Sequence, residues 1–487
     1  MQLVESRSID YVPLAERHGK VWHLWPIWFT GDAHLATLAT GALSIPLGLP
    51  FAWAALAILA GGALGTFFMA FHSSQGPELG LPQMIQSRPQ FGYRGALLVW
   101  FVALVTYIGY NAFNQVLIGA TMQHLIGASP IPTIILFTLL ALALAVCGYD
   151  WIHRAQRVLA AVMITALTLF TLGAMTLVDK RLFTDFSNFR AIPFLIQFFA
   201  AAAYQLSWSI YVSDYSRYLP RNVGVRASFL WTFMGAFIGG AWMMLVGALA
   251  AALFPALDII AAVRAAGDQM GPHCGTALLV VASFAMLTAT SLNLYGASLT
   301  LLSIVDSFRR VADLKAARLI ALGLVAVAST SLAAASSADL RTEFEHLLAI
   351  LIYLFTPWTA INLVDFFLVR RGHYSIREIF NPDGIYGRWN WRGLSAYAIG
   401  FAAMVPFFST GFYRGPIADL LGGADISMLI GLPVSALAYL WACRSLDLVA
   451  ERRIVDIADH GLDGEPAGGA APPGPSDMPH LAWSPTA

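Results

Sequence analysis

Residues 25–45 read WPIWFTGDAHLATLATGALSI and residues 198–220 read FFAAAAYQLSWSIYVSDYSRYLP. Each is apolar and long enough to cross a bilayer, yet each carries polar groups near its middle. The first has Gly31, Asp32 and His34; the second has Gln205, Ser207, Trp208 and Ser209. Ionisable and amide groups are costly in hydrocarbon and are tolerated where they line a cavity or pathway. Interrupted hydrophobic segments at matching positions of two halves point to a transporter's central site. Unwound backbone there offers carbonyls to a cation and helix ends to polar substrate groups. The competing reading is a buried structural pair of Asp32 and His34.

The rest of the chain agrees with a membrane location. Of 487 residues, 58% are hydrophobic and only 11% charged, with mean hydropathy +0.67. Soluble domains carry about 25% charged residues, so a soluble enzyme is excluded. Formal net charge is zero, which gives no drive toward nucleic acid. The cysteines at 147, 274 and 443 form no CxxC, so neither a disulfide framework nor a zinc site is indicated. A hydrocarbon core of about 30 Å needs roughly 20 apolar residues per helix. Apolar runs between charged or Pro/Gly punctuation give twelve spans, at 24–48, 50–71, 97–123, 132–149, 156–177, 193–213, 228–252, 275–303, 315–335, 346–369, 393–413 and 424–443. Spans 1 and 6 are then five apart, as two inverted repeats of five would place them. The connections on the side of the termini hold 22 Lys and Arg, against 6 on the other side. The positive-inside rule places both termini in the cytoplasm. Residues 1–23, largely polar, are expected to be a cytoplasmic segment and not a signal peptide. The tail at 444–487, which ends rich in Pro and Gly, is expected to be disordered.

Two further spans carry polar stripes. Tyr110 and Asn114 in span 3 are four apart and share one helical face, with Asn111 and Gln115 beside them. In span 8, Thr288 and Asn293 point to different neighbours, about 140° apart on 3.6 residues per turn. Packing glue between helices is the alternative role for the span 3 amides, and back-bonding to its own helix is the alternative for Thr288. Asp214 and Arg217 read as a structural pair. Gly235 and Gly239 form a GxxxG that speaks only for helix contact. No Walker loop, HExxH or GxSxG is present, so neither nucleotide-driven pumping nor hydrolysis has support.

These segments resemble the nucleobase–cation symporter family that includes the purine–cytosine, allantoin and hydantoin permeases. The marks are IWFTGDAHLATLATGAL from residue 27, GPELGLPQMIQSRPQFGYRGA at 76–96, GYNAFNQVLIG at 109–119, WSIYVSDYSRYLP at 208–220 and SLNLYGASL at 291–299. The resemblance implies an all-α LeuT-like fold. A ten-helix core would span 24–369 as two inverted repeats, with two more helices at 393–443. It also implies substrate contacts at His34, Tyr110, Asn114, Trp208 and Asn293, where family members commonly have Trp in place of Tyr110 and hydantoin-type members have Gln in place of His34. Such a set suits a flat heterocycle, with aromatic faces on the ring and amide or imidazole groups on its C=O and N–H edge. A sodium site of the family's type would use carbonyls at Thr30, Ala33 and Phe284 and hydroxyls at 287 and 288. Here Thr288 remains but position 287 is Leu. Asp32, where Asn is common in relatives, supplies a titratable group instead.

The expectation is a non-enzymatic secondary transporter of the inner (cytoplasmic) membrane. It would import a nucleobase or related cyclic amide with protons or sodium as the coupling cation and no other cofactor. Its partners would be the small heterocyclic substrate and the lipid bilayer. The rivals are a same-fold symporter for an amino acid or vitamin, and a non-transporting scaffold or channel. The charge asymmetry makes one prediction at once: a reporter fused after Asp459 shows cytoplasmic and no periplasmic activity, and the reverse pattern overturns the orientation.

Overall fold

The computed structural model describes residues 9–463 apart from 148, 178, 310, 312–313 and 337–339. The described residues are helical throughout, with a lone β-bridge between Ser409 and Arg414. Ten helices are long and apolar enough to cross a membrane, against the twelve spans expected. The two that fall short do so for local reasons. Span 1 is split into Leu24–Asp32 and Leu35–Gly41. Span 11 is the helix Trp391–Met404, which tightens into a 3-10 turn, Val405–Phe407, at Pro406, a residue with no N–H to continue an α-helix.

Both expected interruptions are present. In span 1, Ala33 (φ −83°, ψ 66°) and His34 (φ −145°, ψ 177°) leave helical space. The His34 imidazole then accepts the N–H of Ala36 at 3.3 Å and caps the second half. Span 6 runs as Ala191–Ser207, tightens into a 3-10 turn over Trp208–Tyr211, and resumes at Val212–Ser216.

Spans 1, 2, 6 and 7 pack into one bundle, and glycines let them approach. A Cβ on Gly235 or Gly239 of span 7 (Gly224–Leu253) would lie 2.6 or 2.5 Å from the carbonyl oxygens of Trp25 and Phe29. One on Gly247 would strike the Leu38 carbonyl, and one on Gly61 that of Phe198. Between membrane helices, where lipid removes the hydrophobic drive, close backbone packing of this kind holds the structure together. The GxxxG is thus the seat of broken span 1.

Span 8 (Cys274–Asp306) is the central post of the other layer. It packs on spans 3 (Leu97–Ile126), 4, 5 and 9 and is 72% buried over its most apolar stretch, against 28% for spans 4 and 5 at the rim. The 73–96 connection folds into two short helices, Gln75–Leu79 and Arg88–Phe91. Between them, the Gln83 N–H donates to Asp214 at 2.7 Å, on the continuation of span 6.

The tail differs from its expectation. Residues Leu448–Ala458 form a helix because its charges find partners on the chain itself. Glu451 accepts from Arg370 at 2.5 Å, and Asp459 accepts the N–H of Ile376 at 2.6 Å. The Pro/Gly-rich part, 464–487, lies outside the described residues, as do residues 1–8.

Valine at Gly247 should therefore lower stability by about 1–3 kcal/mol through overpacking, read as a reduced melting temperature of the detergent-purified protein. Gly323→Ala, whose Cβ meets open space, should leave it unchanged.

Candidate functional site

The two interruptions face each other, and the side chains they release meet those of spans 3 and 8. His34, Tyr110, Asn114, Trp208 and Asn293, the five residues expected to touch substrate, line one cavity together with Tyr204 and Tyr211. The cavity is about 10 Å³, room for about one water. A heterocycle can enter only if these side chains part.

Aromatic rings shape the walls. Trp208 meets Tyr211 edge-on at 5.1 Å and 82°, and Tyr204 at 6.4 Å and 73°. Tyr110 meets Tyr204 at 5.8 Å and 89°. Tyr211 is itself held between Trp28 and Tyr107, both nearly parallel to it. Edge-to-face pairs direct ring hydrogens at neighbouring faces, so a flat guest would replace one ring contact with another.

The polar groups divide into donors and acceptors. Asn293 Oδ1 accepts from the Tyr211 hydroxyl at 3.2 Å, and its NH2 makes no hydrogen bond to another of the described residues. Asn114 donates to Thr290 at 3.2 Å, and its Oδ1 is buried without a partner. Ser207 donates to the Tyr204 carbonyl, so the Tyr110 hydroxyl, 3.0 Å from Ser207 Oγ, is the donor there and keeps its lone pairs. The wall thus presents an amide N–H and an amide C=O, complementary to the C=O and N–H of a cyclic amide.

Asp32 stands behind this cavity. It is fully buried, and neither carboxyl oxygen has a hydrogen-bond partner among the described residues. The Trp208 indole and Gln205 amide face it, and the Trp208 N–H is also buried without a partner. Gly240 of span 7 leaves room for the pair, since a Cβ there would strike the Gln205 amide and come 3.6 Å from the Asp32 carboxyl carbon.

The residues expected around sodium lie at the span 1 break and on span 8. Thr30 donates back to Pro26 at 2.7 Å and Thr288 back to Ala285 at 2.8 Å. Ala33 is buried at the break, whereas the Phe284 ring is exposed on the helix exterior. Among the described residues no group of three His, Cys, Asp or Glu could hold a metal ion.

Tyr204 and Tyr211 were not singled out in the sequence. They lie four before and three after Trp208, one stripe on a helix. In an apolar span, aromatic residues at that spacing look like ordinary packing.

Residues 11–431 match the family profile described as "Permease for cytosine/purines, uracil, thiamine, allantoin". A Bacillus subtilis (strain 168) protein named as a purine-cytosine permease, YxlA, is 34% identical over 442 residues, covering 90% of this chain and 95% of that protein. The purine-cytosine permease fcyB of Emericella nidulans is 25% identical over 476 residues, covering 90% and 88%. Mhp1, a nucleobase-cation-symport-1 family transporter, in a closed conformation with bromovinylhydantoin bound, superposes with a TM-score of 0.72 at 19% identity, covering 94% of this chain and 100% of that one. Its inward-facing conformation gives 0.69 at 17% identity, covering 93% and 99%. These structural likenesses establish a shared fold.

Truncating either cavity amide should weaken binding of a cyclic amide by about 1–3 kcal/mol, roughly one to two decades. Titration of hydantoin or uracil into detergent-purified Asn114→Ala and Asn293→Ala measures this. Unchanged affinity in both variants would refute the assignment of the cavity.

Proposed function

The chain belongs to the family of permeases for cytosine and purines, uracil, thiamine and allantoin, and from that premise we propose that it imports a nucleobase or related cyclic amide by cation symport. It is a transporter and not an enzyme, and it is a multi-pass membrane protein. The finer reading places it in the cytoplasmic membrane with both termini in the cytoplasm, carrying a cytosine-, purine-, allantoin- or hydantoin-type ring.

The observation that carries this reading is the cavity between the two helix breaks. Trp208 and Tyr110 supply aromatic faces, Asn293 an N–H and Asn114 a C=O. The bromovinylhydantoin named for Mhp1 and the purine and cytosine named for the relatives are rings of this chemistry. Because the cavity is contracted, ring entry must separate the walls. Closure around the ring then replaces ring-to-ring contacts with ring-to-substrate contacts and gives the differential affinity that a conformational cycle needs.

Coupling would act at the span 1 break. A buried carboxylate without a partner is costly, and a cation arriving at Asp32 would offset that cost next to Trp208, which belongs to the cavity wall. Oxygen supply favours a proton over sodium. Sodium needs several close oxygens to replace its water, but Leu287 offers none from its side chain, which leaves the Thr288 hydroxyl as the one side-chain oxygen of that expected pair.

Proteoliposomes containing the full chain, with proton and sodium gradients imposed separately, test the proposal. Labelled uracil, cytosine or hydantoin should accumulate with an inward proton gradient. Asp32→Asn should abolish that accumulation while still exchanging substrate at equilibrium. Sodium-driven uptake indifferent to Asp32→Asn would replace the proton with sodium, and no saturable uptake of any of these rings would overturn the transport reading.

A further inference from the structure

The hydrogen bonds around Tyr204 leave one proton without an acceptor among the described residues. His34 Nδ1 accepts the N–H of Ala36 at 3.3 Å. A backbone N–H can only donate, so Nδ1 carries a lone pair and the neutral ring has its hydrogen on Nε2, with the Gly31 carbonyl also lying against the ring. That hydrogen faces Tyr204 Oη at 3.2 Å. The Thr37 hydroxyl donates to the same oxygen at 2.7 Å. Tyr204 Oη thus accepts two hydrogen bonds, the full capacity of its lone pairs. Its own O–H finds no acceptor among the described residues. Asp32, the nearby carboxylate, makes no hydrogen bond to it. Tyr204 is buried, and the open space beside it is the cavity its ring helps to line.

We propose that Tyr204 reads an exocyclic carbonyl of the bound ring, donating its phenolic proton to that oxygen, with His34 and Thr37 acting through it as positioning residues. The inference rests on reading the cavity as the substrate site. Two donors on the phenol oxygen polarise the O–H and strengthen it as a donor, and they prevent it from turning into an acceptor. A ring bearing C=O completes the set. Adenine, which has no exocyclic oxygen, brings amino hydrogens to a wall already supplied with donors and can offer the phenolic proton only a ring nitrogen, set one bond further back than an exocyclic oxygen. A site built to hydrogen-bond one group discriminates strongly against ligands lacking it. The His34 imidazole, expected to touch substrate directly, has both nitrogens engaged by the protein, so its influence on recognition passes through Tyr204.

The test is isothermal titration of uracil, hydantoin and adenine into the full-length, detergent-purified protein. The wild type should prefer uracil and hydantoin to adenine. Tyr204→Phe should weaken the two oxo ligands by about tenfold to a hundredfold and should not weaken adenine, with melting temperature reporting an intact fold. His34→Gln keeps an N–H for the phenol oxygen and should retain the preference. His34→Glu, of similar reach, offers only acceptors once ionised, so at a pH above its ionisation it draws the phenolic proton to itself and should mimic Tyr204→Phe. Equal loss in the Gln and Glu variants, or equal loss for all three ligands in Tyr204→Phe, would mark a structural role and overturn the proposal. Wild-type binding of uracil that Tyr204→Phe matches overturns this inference alone. A wild type that binds none of the three overturns it together with the substrate reading.

Discussion

A helix that stops inside hydrocarbon leaves backbone N–H and C=O groups without partners, at a cost of several kcal/mol for each. Non-helical backbone survives at that depth only where protein encloses it. This chain breaks two helices there and repairs them with the side chains at the break. His34 leaves the helix and caps its second half through Nδ1. The span 6 break stays tight by passing through a 3-10 turn, Trp208–Tyr211, which keeps backbone hydrogen bonds short and local. Gly235 and Gly239 then bring span 7 directly onto the first half of span 1. The residues that make the break tolerable are therefore the ones that surround the cavity.

The same enclosure holds some of the buried polar atoms that lack partners among the described residues. The Asp32 carboxyl oxygens, the Trp208 N–H and the Asn114 Oδ1 are buried without partners, and each such group costs about 1–3 kcal/mol or more for a charge. They gather at one place, where a ring and a cation would complete them. Trp208 joins the two halves of this arrangement, since its ring lines the cavity and its indole faces Asp32.

The most distinctive sequence marks lie elsewhere. Gln83 of the 76–96 segment donates to Asp214 and accepts the N–H of Ser213 at 3.2 Å. Arg217 of the span 6 motif reaches the Tyr295 hydroxyl on span 8 at 3.3 Å. These contacts tie the connecting segment and span 8 to the far end of the second broken helix. They hold the end of that helix in place, while the cavity is built from residues with weaker local signatures.

Fold class and the positions of the breaks were legible in the sequence because both are local properties. Hydropathy over about 20 residues marks a span, and polar groups within one stand out by their cost. The assignment of Tyr110, Asn114, Trp208, Asn293 and His34 to substrate came from the resemblance of their motifs to those of the family. Tyr204 and Tyr211 could not be picked out, since a tyrosine in an apolar helix reads as packing until its hydroxyl's partners are seen. The helix at Leu448–Ala458 was equally hidden, because its charges look solvated until Arg370 meets Glu451. Tertiary structure alone decided which way each amide faces, which nitrogen of His34 carries hydrogen and which proton has no acceptor. A donor or acceptor is defined by its partner, and the partners here lie up to 176 residues apart in the chain.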